Sequence, residues 1–151
     1  METVGLGFYW NELEVGYKFK TVGRTVTETD IINFVNCTGM VEVLFTNIEF
    51  LDKRSSIKGR VAPASLAYCF AEGLLIQATM QETGLAFLNM ELDVLKPVFA
   101  GDTIHVECEV TEVRATSKGN RGLVRTFNKI VNQKGETTLT YNPLRLMAGR
   151  D

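Results

Sequence analysis

The sequence predicts an α+β fold in which an antiparallel sheet curves around one long apolar helix. Two observations carry this. Between Ala64 and Glu82 the apolar residues fall on more than one side of a helix, which therefore has to be surrounded. From about residue 84 onward the apolar period switches to two, and the alternating segments are joined by short turns, so neighbours run antiparallel.

Taken in order, Tyr17 to Val26 reads as a first strand. Thr27-Glu28-Thr29-Asp30 then resembles a capping box with a short acid and opens a helix carrying Ile31, Ile32, Phe34 and Val35. Gly39 suits its left-handed end. Residues 40–60 read as an irregular connection with a helical turn near Asn47–Leu51. Pro63 stands near the start of the long helix, where a missing N–H costs nothing. That helix runs from Ala64 to Glu82 and stops before Gly84. Leu66, Phe70, Leu74 and Ala78 form one apolar stripe, and Ala67, Ala71 and Leu75 a second.

A strand over Leu88–Val94 turns Leu88, Met90, Leu92 and Val94 to one face. Ala100-Gly101-Asp102 makes a turn. Ile104, Val106, Cys108 and Val110 then share the inner face of the next strand, with His105, Glu107 and Glu109 outside. A third strand spans Gly122 to Asn132, Gln133-Lys134-Gly135 is a hairpin turn, and a fourth spans Thr137 to Met147, where Pro143 marks an edge or a bulge.

Residues 1–151 read as a single domain with room for a core. The apolar content of 45% and charged content of 23% exclude disorder. A net charge of −2 implies no nucleic-acid partner. Glu72, Gly73 and Gln77 interrupt the most apolar stretch, so no membrane span and no targeting segment is expected. Three cysteines make neither a disulfide framework nor a zinc pattern and suit a reducing, cytoplasmic compartment; Cys37 and Cys69 read as small buried packing. The single histidine, His105, excludes any multi-histidine metal site, and no metal is expected.

Several segments carry a family resemblance. Leu95-Lys96-Pro97-Val98-Phe99-Ala100-Gly101-Asp102-Thr103-Ile104 resembles the F-x-x-P-V-x-x-G-D-T-L signature of MaoC-like dehydratases, which include (R)-specific enoyl-CoA hydratases. Val131-Asn132-Gln133-Lys134-Gly135-Glu136 is similar to their V-x-N-Q-x-G-E hairpin. Arg24 to Ile31 with Phe34 is similar to their R-T-V-T-E-x-D-I-x-x-F opening helix. The resemblance spans residues 8–147. It implies a hotdog fold, usually a homodimer or a higher homo-oligomer. It also implies reversible hydration of an enoyl thioester, with coenzyme A as part of the substrate and no separate cofactor. An aspartate and a histidine would handle the proton and the water, and amides at the central helix start would polarise the thioester carbonyl.

The chain departs from this pattern where the catalytic pair should stand. The family's G-D-x-N-P-x-H reads Gly39-Met40-Val41-Glu42-Val43-Leu44-Phe45, and neither Met40 nor Phe45 can move a proton. The second segment, R-I-x-H-G-x-L, reads Arg60-Val61-Ala62-Pro63-Ala64-Ser65-Leu66, which keeps the amides of Ala64 and Ser65 for an oxyanion. Glu42 is the one ionisable residue between Asp30 and Glu49, apart from Cys37. Buried beside Met40, Leu44 and Phe45 it would serve as a lone acid–base; otherwise it is a loop glutamate or pairs with Arg60. Phe45 is expected beside the acyl group. Asn47 either orients substrate or caps a turn. Lys58 and Arg60, with Lys53 and Arg54, suit coenzyme A phosphates or form a solvated basic loop. Three functions follow: a variant hydratase or dehydratase, a non-catalytic acyl-thioester-binding protein or inactive partner subunit, and a thioesterase using Glu42 or Glu72.

Overall fold

A computed structural model describes all residues, 1–151. The first helix, α1 (Glu28–Thr38), begins as its sequence dictates. Asp30 N–H donates to Thr27 Oγ1 at 3.1 Å, and Thr27 N–H donates to Asp30 Oδ2 at 2.8 Å. Burial opposes the Asp30 charge, but the Thr27 amide and hydroxyl and the Arg24 guanidinium outweigh it and hold the carboxyl below its usual range. Gly39 ends α1 at φ +74°, the left-handed turn that glycine adopts without steric cost.

The connection expected to be irregular holds two short helices, α2 (Val43–Thr46) and α3 (Ile48–Lys53). The central helix, α4 (Ala64–Thr79), starts directly after Pro63 and ends three residues earlier than expected. Met80 O accepts the amides of both Thr83 and Gly84, which closes the turn, and Glu82 sits at φ +63°. Before these helices, β1 (Lys18–Lys20) and β2 (Arg24–Thr25) replace the single first strand of the sequence reading.

Two further strands of that reading are each broken in two. The stretch expected as Leu88–Val94 forms β3 (Gly84–Asn89) and β4 (Leu92–Val94). After β5 (Thr103–Ala115) and β6 (Arg121–Val131), the last stretch forms β7 (Thr137–Tyr141) and β8 (Leu144–Ala148). β8 pairs with one half of β6 and with β3; β7 pairs with the other half and with β4. The eight segments therefore lie as five rows: β3/β4, β8/β7, β6, β5 and β1/β2. The two breaks lie side by side. Glu91 N–H donates to Asn142 Oδ1 at 2.6 Å, and Asn142 N–H donates back to Glu91 O at 3.2 Å. Pro143 has no N–H to offer a ladder, and its carbonyl accepts Thr126 N–H of β6, so the β8/β7 row breaks there.

The sheet wraps α4 as the resemblance implies for a hotdog. Leu66, Ala67, Ala71 and Leu75 of α4 are buried against Ile104, Val106 and Ile130. The inner face of β5 is as expected, with Ile104, Val106, Cys108 and Val110 buried, Glu107 exposed and Glu109 half-buried. The first helical stripe is corrected beyond Leu66: Phe70 and Leu74 are half-buried and Ala78 exposed, because the sheet covers only one side of α4. Every residue of β3 is exposed, Leu85, Phe87 and Leu88 among them, since this row has a neighbour on one side only. No helix is long and apolar enough to cross a membrane.

Candidate functional site

The start of α4 is where the family's oxyanion site is expected. Pro63 is buried in an extended conformation, φ −54° and ψ 137°, and its carbonyl accepts the amides of Leu66 and Ala67. The amides of Ala64 and Ser65 belong to the first helical turn and donate to no protein acceptor. Ala64 is exposed and Ser65 half-buried.

Beside them opens a cleft of about 310 Å³, lined mainly by apolar side chains that include Phe45, Ala62, Ala64, Val94 and Leu139. Lys96 is the one ionisable residue in its wall, and its Nζ is engaged by Glu136. No group of three or more histidine, cysteine, aspartate or glutamate side chains gathers in the chain to hold a metal ion.

The residues expected at the site fall into two sets. Ala64 and Phe45 line this cleft; Ser65 follows Ala64 without lining it, and its Oγ reaches Met40 Sδ at 3.6 Å. Glu42 does not join them. It precedes α2, is exposed, and makes neither an ion pair nor a side-chain hydrogen bond, so the burial expected to tune it is absent. Four-residue α2 turns Leu44 and Phe45 inward and leaves Glu42 at the solvent side of its first turn.

Asn47 caps α3, accepting Phe50 N–H on Oδ1 at 2.9 Å. Lys58 Nζ donates to the carbonyls of Leu51 at 3.3 Å and Asp52 at 3.0 Å, near the end of α3. Arg60 does not meet Glu42. Its Nε donates to both carboxylate oxygens of Glu28, at 2.9 and 2.8 Å, and its Nη1 to Phe45 O, which ties α2 to α1. Lys58 and Arg60 thus hold the loop in front of the cleft rather than projecting free charge.

His105 is partly exposed and contacts Glu107 at 3.1 Å on the outer sheet face, away from the cleft. Cys37 and Cys69 are exposed, which corrects their expected burial; Cys108 is buried, and burial pushes its thiol up to about 12.

A second polar group lies deeper along α4. Glu72 accepts the Tyr141 hydroxyl at 2.9 Å and Arg145 Nη2 at 2.5 Å, and both charged side chains are nearly buried. Burial first, then the Glu72 charge, pushes the Tyr141 phenol far above its ordinary value. Arg145 and Asn128 were not singled out in the sequence. The signal was available: Arg145 stands in an otherwise apolar strand, and Asn128 falls on the same alternating face of β6 as Val124 and Ile130.

Residues 14–141 match the family described as FAS1-like, dehydratase domain region. The chain is similar to Protein MaoC of Klebsiella aerogenes, 33% identical over 115 residues, covering 75% of this chain and 33% of that protein. It is also similar to mesaconyl-CoA hydratase of Cereibacter sphaeroides, 39% identical over 57 residues, covering 38% of this chain and 17% of that protein. The chain thus spans a third or less of the length of these two curated relatives. Among solved structures, the monoamine oxidase regulatory protein of Archaeoglobus superposes with a TM-score of 0.84 at 30% identity, covering 96% of this chain and 97% of that one.

Proposed function

The chain belongs to the FAS1-like dehydratase-region family of MaoC-like hotdog proteins, and from that premise we propose that it binds an enoyl or 3-hydroxyacyl thioester of coenzyme A. The observation that carries this is the pair of unengaged amides at the start of α4, Ala64 and Ser65, the first of which lines an apolar cleft. The helix dipole adds partial positive charge there, so a thioester carbonyl is held and polarised. The acyl group lies along Phe45 and Leu139. Asn47, Lys58 and Arg60 serve the site by fixing the loop that carries Phe45. Coenzyme A enters as part of the ligand.

No residue lining the cleft is free to move a proton, since Lys96 is engaged by Glu136 and both positions of the family dyad are apolar. The reading best supported is therefore acyl-thioester binding without turnover by one chain alone. The exposed apolar row of β3, with Ile76 of α4 beside it, supports a homodimer in which a second copy covers that edge.

Replacing Ala64 by proline removes one donor at a position where proline fits a helix, and Pro63 before it is already extended. By calorimetry, Ala64→Pro weakens butyryl-CoA binding roughly tenfold and leaves free coenzyme A unchanged. Equal loss for both ligands would refute the carbonyl placement.

One observation favours a second reading, hydration with Glu42 as the acid–base. Its carboxylate is unpaired, and it stands two residues from Met40, which touches Ser65. Binding alone predicts that crotonyl-CoA keeps its enoyl absorbance in the presence of the protein. Loss of that absorbance by the wild type, slowed about a hundredfold in Glu42→Gln, would favour hydration instead. A thioesterase using Glu72 is the least supported function, because that carboxylate is committed to Tyr141 and Arg145.

A further inference from the structure

Ala64, Tyr68, Glu72 and Ile76 recur at four-residue spacing along one face of α4, each about 6 Å beyond the last. Leu139 and Tyr141, two residues apart on β7, advance by about 6.6 Å, so sheet and helix keep step. The result is a series of levels. Ala64 and Leu139 line the cleft. Tyr68 meets Tyr141 edge to face, with ring centroids 5.2 Å apart. Glu72 then meets the Tyr141 hydroxyl and Arg145. Last, Ile76, Phe87 and Arg145 line a separate cleft of about 230 Å³. The cleft wall on this face stops at Ala64 and Leu139, and an acyl chain held there by its carbonyl meets the polar level only by continuing along the helix past Tyr68.

That polar level holds more hydrogen-bonding capacity than its own ion pair uses. Arg145 gives one N–H to Glu72, and a guanidinium carries five. Tyr68 does not share the Glu72 carboxylate with Tyr141, and burial, then the Glu72 charge, keeps its phenol protonated and able to donate. Asn128, opposite Tyr141 in the β6–β7 ladder, is fully buried; neither its Nδ2 nor its Oδ1 makes a well-formed hydrogen bond, and its polar neighbour is the Tyr141 phenol. Buried amides without partners are rare and unfavourable. An acyl chain ending in a methyl group would answer none of these groups.

We propose that the Tyr68–Glu72–Tyr141–Arg145 cluster, backed by Asn128, is a specificity site for the far end of the acyl group, and that it selects a short chain ending in a hydrogen-bond acceptor. This rests on the acyl-thioester reading above. Glu72 already balances Arg145, so a neutral carbonyl fits without Coulomb opposition, whereas a carboxylate has to share the guanidinium.

The test is calorimetric binding of glutaryl-CoA, its terminal methyl ester and hexanoyl-CoA to the wild type and to Tyr68→Phe, which removes only a hydroxyl. The expected result is tighter binding of at least one acceptor-ended ester than of hexanoyl-CoA. The ratio is expected to fall about fivefold in Tyr68→Phe with hexanoyl-CoA unchanged. The order of the two acceptor-ended esters tells charged from neutral termini. Hexanoyl-CoA binding as tightly as both, or a ratio indifferent to Tyr68→Phe, would overturn the proposal and leave thioester binding standing. No binding by any ester would remove both.

Discussion

Glu72→Ala lowers the unfolding free energy by about 3–5 kcal/mol, the usual cost of leaving one partner of a buried ion pair alone. Arg145 stays nearly buried with its guanidinium over the Phe87 ring, 5.1 Å from the centroid, and the Tyr141 hydroxyl loses its acceptor. The double variant Glu72→Leu, Arg145→Met removes both charges and recovers most of the loss, because packed apolar side chains replace such a pair at little cost. Urea unfolding of Glu72→Leu, Arg145→Met and the double variant, beside Glu72→Ala, measures this. Single losses that simply add in the double variant would show that the pair does not act as a unit.

Leu66→Ala is the second large effect, about 2–5 kcal/mol in the same assay. Leu66 is fully buried on the α4 face that the sheet encloses, near Ile31 of α1 and Ile104 of β5 in the same cluster. Truncation leaves a cavity that cannot collapse, since strands on one side and α1 on the other are fixed by their own hydrogen bonds. A loss below 1 kcal/mol would mean that the helix shifts to fill the gap.

Much of this fold is legible in local sequence. The Thr27–Asp30 box, the Gly39 stop, the proline before α4 and the alternation in β5 each follow from short-range chemistry, and each holds in the structure. The strand breaks were less visible. Alternation continues through Met90 and Glu91 whether or not the ladder does, and only the partner row, with Pro143, decides where pairing stops. The exposure of Leu88 and Val94 is likewise a property of row order, which periodicity does not encode.

The site divides in the same way. The loss of an acid–base pair at Met40 and Phe45 and the amides at Ala64 and Ser65 could be read directly from the chain. The position of Glu42 depends on how α2 turns, and the partners of Arg60 lie on separate elements, so neither could. Glu72 stood out in the sequence as a carboxylate in an apolar helix, but its partners are 69 and 73 residues away.

The side-by-side breaks at Met90–Glu91 and Asn142–Pro143 divide the outer two rows into two short ladders, β3 with β8 and β4 with β7. β3 can leave β8 without β4 leaving β7, since at the break only the Asn142–Glu91 bonds join the outer row to its neighbour. Amide exchange across this edge therefore reports two separate opening events. The β4 amides, beside the apolar cleft at Ala64, are expected to slow their exchange when an acyl-CoA ester is added, while those of β3 keep their rate.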